Sequence, residues 1–153
     1  MKILILEDRV QIAKLMTEYL TELGHDPSPC YDCSEAIHLL GYKTPPIFDR
    51  YIVDLNIRTY GLLDDEVKET QNGLRTGWIF LTKYVFLKDI DGVNKTIIFS
   101  DYAEQLRTYI STTNKQKKQE KQEKLWFEQL DNNGTIIHKC NGIHALDHLL
   151  TNY

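Results

Sequence analysis

The sequence predicts an α/β fold: a doubly wound parallel sheet of five strands with helices on both faces. Three observations carry that expectation. Short β-branched or Leu-rich runs recur in KILILEDR, YIVDLNI, KTIIFSD and TIIHKC, and continuous apolar runs of this length suit strands buried on both faces. Helical stretches alternate with them, which implies parallel strands joined by right-handed crossovers. Each run also stops at a chemically useful polar residue: Glu7 and Asp8, Asp54, Ser100 and Lys139.

The first strand covers residues 2–7. From Val10 to Leu23 apolar residues fall at helical spacing, and Gly24 suits the C-terminal cap. DPSPCYD is a weak second strand. Proline is tolerated at sheet edges, so Pro27 and Pro29 place it at an edge, as the strand order 2-1-3-4-5 requires. Ser34 is expected to cap a short helix, EAIHLL, ending at Gly41. After TPPIFDR the third strand runs from Tyr51 to Asp54. Residues 57–72 are polar, with Gly61 and the acidic cluster Asp64, Asp65 and Glu66. They predict a long loop in which LLDDEVKE makes a turn or two of helix. Gly73 opens an apolar helical segment, LRTGWIFLTKYVFLKD, and DGVN leads into the fourth strand, Lys95 to Phe99. Helix is expected from Tyr102 to Ile110, then a break at STTN. A charged helix follows, KQKKQEKQEKLWFEQL, with Trp126 and Phe127 folding back onto the core. DNNG is a tight turn, the fifth strand comes after it, and IHALDHLL closes the chain as a helix.

The 153 residues are read as a single domain, 1–153, long enough to bury a real core. A net charge of −4 gives no reason to expect direct nucleic-acid binding. No apolar run approaches the roughly 18 residues of a membrane span. Glu7 and Asp8 arrive too early for a signal peptide, and a cytoplasmic location is expected. Cys30 and Cys33 form a C-x-x-C, but Cys140 follows the last strand, at the opposite end of the expected sheet, so free thiols are expected. His144 and His148 have a ligand-like i, i+4 spacing with no third ligand in view.

In open parallel sheets ligands bind outside the carboxyl ends of the strands, where the strand order reverses. Strands that deliver Glu7, Asp8, Asp54, Ser100 and Lys139 to one edge build a single site of three carboxylates, a hydroxyl and a cation. That donor set suits a hard divalent metal and a phosphoryl group. Taken singly, Asp54 and Ser100 would also serve as helix caps or turn formers. Three neighbouring carboxylates, however, call for a metal or a lysine partner.

An acidic pair after strand one, Asp after strand three, Ser or Thr after strand four and Lys after strand five: in this order the residues resemble the response-regulator receiver domain of two-component signalling, which has the flavodoxin-like fold. Gly24-His25 and SEAIHLL also fit the family's habits. The resemblance is close over residues 1–56 and 95–101, moderate over 134–150 and weak elsewhere. It implies that Asp54 is the phosphoacceptor, taking its phosphoryl group from a phosphohistidine of a histidine kinase or phosphotransfer protein. It further implies Mg²⁺ held by Asp8, Asp54 and the Asn56 backbone carbonyl, with Glu7 acting mainly through water. Lys139 would pair with a phosphoryl oxygen, and the Ser100 hydroxyl would swing in to bond another and shift the following loop. The output would pass to a downstream protein partner or through a self-dimer.

The sequence departs from the family at three places. Cys140 stands where a Pro usually follows the Lys, and Ile136 where an aromatic switch residue is common. The loop 57–72 and the segment 102–133 are longer than the family norm. The first two departures favour an alternative, a pseudo-receiver acting as a phosphorylation-independent interaction module. A third reading, a small Mg²⁺-dependent phosphatase, is disfavoured because Asn56 cannot protonate a leaving group. The chain is therefore expected not to be an enzyme beyond its own phosphotransfer and dephosphorylation.

Overall fold

The computed structural model describes residues 1–41, 48–112 and 118–151. Its centre is one parallel sheet with the order β2-β1-β3-β4-β5. The strands are β1 (Lys2–Leu6), β2 (Asp26–Cys30), β3 (Arg50–Val53), β4 (Thr96–Phe99) and a two-residue β5 (Ile136–Ile137). The expected fold class and strand order are therefore those observed. Pro45, Pro46 and part of the STTN break lie outside the described residues.

The edge position of β2 follows from parity. Asp26 donates its N–H to Met1 O, and β2 runs parallel to β1 with Ser28 opposite Leu4. Donors of the even-numbered residues thus face β1, and the missing N–H groups of Pro27 and Pro29 fall on the outward side, where no ladder needs them.

Alternation along the strands divides the core in two. Ile3, Ile5, Ile52, Ile97, Phe99 and Ile137 face α1 (Val10–Glu22) and the C-terminal elements through Met16, Leu20, Leu146 and Leu150. Leu4, Leu6, Tyr51, Val53 and Ile98 face the opposite and larger core. That face is covered by α2 (Cys33–Leu40), α4 (Thr76–Phe80), α5 (Ala103–Thr112) and α6 (Lys118–Asn132).

Several elements differ from expectation. The cap of α2 is Asp32, not Ser34: Asp32 accepts from Glu35 N at 3.0 Å, and Glu35 reaches back to Tyr31 N at 2.7 Å. Within the long loop, by contrast, the short helix expected from LLDDEVKE does form, as α3 (Asp64–Glu69). Glu66 secures it, buried and accepting both Leu63 N and the Tyr84 hydroxyl at 2.8 Å. The apolar segment after Gly73 begins as α4 and continues as a π-helix, Leu81–Val85, where Phe86 N bonds to Leu81 O at 2.8 Å. The C-terminal helix starts as a 3₁₀ turn, Ile143–Leu146, before α7 (Asp147–Thr151). Phe127 is buried and Trp126 packs on Phe86 at 5.3 Å, as expected for this pair.

Cys30 and Cys33 are free and fully buried, whereas Cys140 is free and exposed. Burial pushes the first two thiols up to about 12, leaving almost no thiolate at neutral pH. In the native protein at pH 8, Ellman's reagent is expected to titrate one thiol per chain, and three after unfolding in guanidinium. Rapid native reaction of all three would contradict this packing.

Candidate functional site

The sheet ladder sets the backbone of the site. Glu7 N donates to Cys30 O, Asp54 N to Leu6 O and Ser100 N to Ile137 O, at 2.9–3.0 Å. Each residue is therefore fixed at the end of its strand by the neighbouring strand, and the side chains converge. Asp54 is buried at 4% exposure, Glu7 at 1% and Ser100 at 0%.

Lys139, entering from the turn after β5, joins them. Its Nζ lies 2.5 Å from Asp54 Oδ2 and 2.5 Å from Glu7 Oε2. The missing proline at Cys140 has not kept it from the site. Ser100 Oγ donates to Asp54 Oδ1 at 2.6 Å and accepts from Tyr102 N at 3.2 Å, which ties it to the start of α5. The hydroxyl points inward in the unmodified chain, where Oγ also accepts from Leu55 N at 3.4 Å.

Two carboxylates sharing one ammonium leave a deficit of positive charge. Burial, with the Asp54 charge adding to it, holds Glu7 above its ordinary value despite the hydrogen bond from Lys139. A second cation answers part of this deficit, and the sequence reading missed it. Arg9 donates from its backbone N at 3.1 Å and from Nε at 3.3 Å to Glu7 Oε1. Its Nη2 lies 3.9 Å from Asp54 Oδ2 and 3.7 Å from Asp101 Oδ2. The available signal was a cation directly after the acidic pair, in EDR.

Asp8 and Asn56 stand on another side of the site. Both line a groove of about 750 Å³ together with Arg58, Tyr60, Lys68 and Asn72. The long 57–72 segment thus borders the site, as expected. Gln71 and Asn72 take positive φ values of 52° and 58° and Gly73 one of 91°, turning the chain back toward α4. Gly77, in α4, was also missed. A Cβ there would sit 1.9 Å from Asp54 O, so only glycine lets α4 rest against the end of β3.

Among the described residues, no three His, Cys, Asp or Glu side chains form a group that could hold a metal. Asp8 is half-buried and has no hydrogen bond or ion pair among those residues, and it shares its groove with the oxygen-bearing Asn56 and Thr59. One or two carboxylates with carbonyl and water oxygens is the set Mg²⁺ ordinarily takes, so the residues present fit that ion. His144 instead packs edge-on against Tyr19 at 5.0 Å.

No protein-family model and no curated protein matches the chain. Solved structures do. A Francisella response-regulator receiver domain superimposes with a TM-score of 0.55 at 18% identity, covering 97% of this chain and 93% of its own. The non-phosphorylated HemR receiver domain from Leptospira biflexa gives 0.56 at 15% identity, covering 99% and 95%. The fold is that of a response-regulator receiver domain. A sensor protein from Polaromonas sp. JS666 gives 0.51 at 16% identity, covering 86% and 96%. Among the described residues no helix of this receiver-fold chain is long and apolar enough to cross a membrane.

Proposed function

We propose that residues 1–153 act as one phosphoacceptor switch of a two-component phosphorelay, with Asp54 as the acceptor. The observation that supports this best is the placement of Lys139 Nζ and Ser100 Oγ on opposite oxygens of a buried Asp54. An Asp54 carboxylate oxygen, released from its present partner, attacks the phosphorus of a phosphohistidine. The P–N bond breaks and its electron pair stays with the imidazole, which takes up a proton. The product is an aspartyl phosphate. Lys139 then turns its charge to a phosphoryl oxygen, and Ser100 donates to another while carrying the displacement into α5 through Tyr102. Bound Mg²⁺ would neutralise phosphoryl charge, held by Asp8, Asp54 and the Asn56 carbonyl. Histidine kinases or phosphotransfer proteins are the donors on this reading, and a protein partner or second copy reads the output. No general acid stands at Asn56, so the chain is a signalling domain and not a hydrolase.

One observation favours the pseudo-receiver reading. Both oxygens of Asp54 and both of Glu7 already have protein donors or cations within reach. Intact mass after incubation with acetyl phosphate and Mg²⁺ separates the two. The expected result is one phosphoryl group added to the native chain and none to Asp54→Asn. Absence of the adduct, together with no binding of the beryllofluoride mimic, would select the pseudo-receiver.

A further inference from the structure

Arg9 is the one cation of the site held by a fixed stem and a loose tip. The stem is set by the backbone and Nε bonds to Glu7 Oε1. The Nη2 tip stands 3.9 Å from Asp54 Oδ2 and 3.7 Å from Asp101 Oδ2, beyond ordinary hydrogen-bond length to both. Lys139 is buried at 7% side-chain exposure with short contacts to both carboxylates, whereas Arg9 is 48% exposed. The tip therefore re-aims at little cost. It also links the β1–α1 turn to Asp101, the residue after Ser100, alongside an Asp54 side chain that is only 3% exposed.

We propose that Arg9 is a phosphoryl-binding residue that also screens the unmodified acceptor. In the unmodified protein it bridges Glu7, Asp54 and Asp101. Once the acceptor carries a phosphoryl group, the carboxylate at Oδ2 is replaced by a more highly charged group with three oxygens, and the guanidinium donates to it as a fork. Lys139 supplies a point charge and Ser100 a neutral hydroxyl, and neither offers that geometry. The same positive charge opposes a divalent cation while the acceptor is empty. Arg9 thus pulls in two directions: it favours the phosphoryl group and disfavours the bare metal. This rests on the reading of Asp54 as acceptor.

The test uses the full chain, as wild type, Arg9→Gln and Arg9→Lys. Two affinities are measured by titration calorimetry: Mg²⁺ for the unmodified protein, and beryllofluoride at saturating Mg²⁺. Loss of a charge-assisted hydrogen bond predicts beryllofluoride binding about 10-fold weaker in Arg9→Gln. Mg²⁺ is expected to bind more tightly to the same variant. Arg9→Lys keeps the charge, so its Mg²⁺ affinity should match wild type while beryllofluoride binding falls in between. Both affinities falling together in Arg9→Gln would mean a merely structural role, and both unchanged would mean no role; either overturns the proposal. If the wild type itself binds no beryllofluoride, the acceptor reading fails and the Arg9 proposal with it. Arg9→Lys keeps the backbone bond to Glu7 and the positive charge, so it serves if Arg9→Gln does not fold.

Discussion

Gly77→Ala is expected to destabilise the protein by about 3 kcal/mol or more, at the top of the range for overpacking. Its new Cβ would lie 1.9 Å from Asp54 O and 2.9 Å from Val53 Cγ1. The first of these neighbours is backbone and cannot rotate away. Gly77 N also bonds to Leu55 O at 3.0 Å, so helix and strand end cannot part without losing that bond. For a chain of this size the melting temperature should fall by about 6–12 °C. Phosphoryl acceptance should fall with it, because the residue displaced is Asp54. Thermal and urea unfolding check the first effect, intact mass the second. A variant that melts with the wild type would show that α4 does not sit on the strand end.

The second large effect belongs to Lys139. Its ammonium is the short-range partner of both Glu7 and Asp54, all three being buried. Removing one member of a buried charge pair typically costs about 3–5 kcal/mol. Lys139→Ala should therefore destabilise by that order at pH 8, with Arg9 offsetting part of it. The pH dependence has a definite sign. Glu7 in the folded wild type already lies above its ordinary 4.5, chiefly through burial, and losing Lys139 raises it further. A carboxyl raised on folding favours the folded state fully below its unfolded value. That favour is lost as pH rises through the folded value. The stability gap between wild type and Lys139→Ala should thus be narrow at pH 4.5 and wide at pH 8. Urea unfolding at the two pH values measures it, and a gap independent of pH would mean the carboxylates do not depend on this lysine.

The residues at the strand ends were legible because a buried parallel strand is a continuous apolar run whose end is unmistakable. Glu7, Asp54 and Ser100 each follow such a run directly, and the prolines of DPSPC declared an edge. Lys139 was legible by order alone, since β5 is only Ile136–Ile137. What the sequence hid depends on contacts between distant segments. The closeness of Gly77 to Asp54 O is a property of how α4 docks, and no local pattern encodes it. Arg9 looks like any surface arginine until β4 brings Asp101 beside it. Asp32 and Ser34 are equally good caps by composition, and Glu35 decides between them by closing back on Tyr31. The π-helical turn at Leu81–Val85 has the same apolar composition as an α-helix and differs only in how it fits the core.

Both tryptophans of the chain lie in one seam. Trp78 is fully buried and donates from Nε1 to Glu123 Oε2 at 3.2 Å, while its ring meets Phe127 at 6.0 Å and Phe86 at 6.1 Å. Trp126 meets Phe86 from the α6 side. With only two tryptophans in the sequence, emission excited selectively from tryptophan reports on this seam. Among the described residues no hydrogen bond joins either indole to the Asp54 carboxylate. Any change in emission on modifying Asp54 would therefore measure how far a chemical event at the strand ends travels through the helical layer, with no extrinsic dye required.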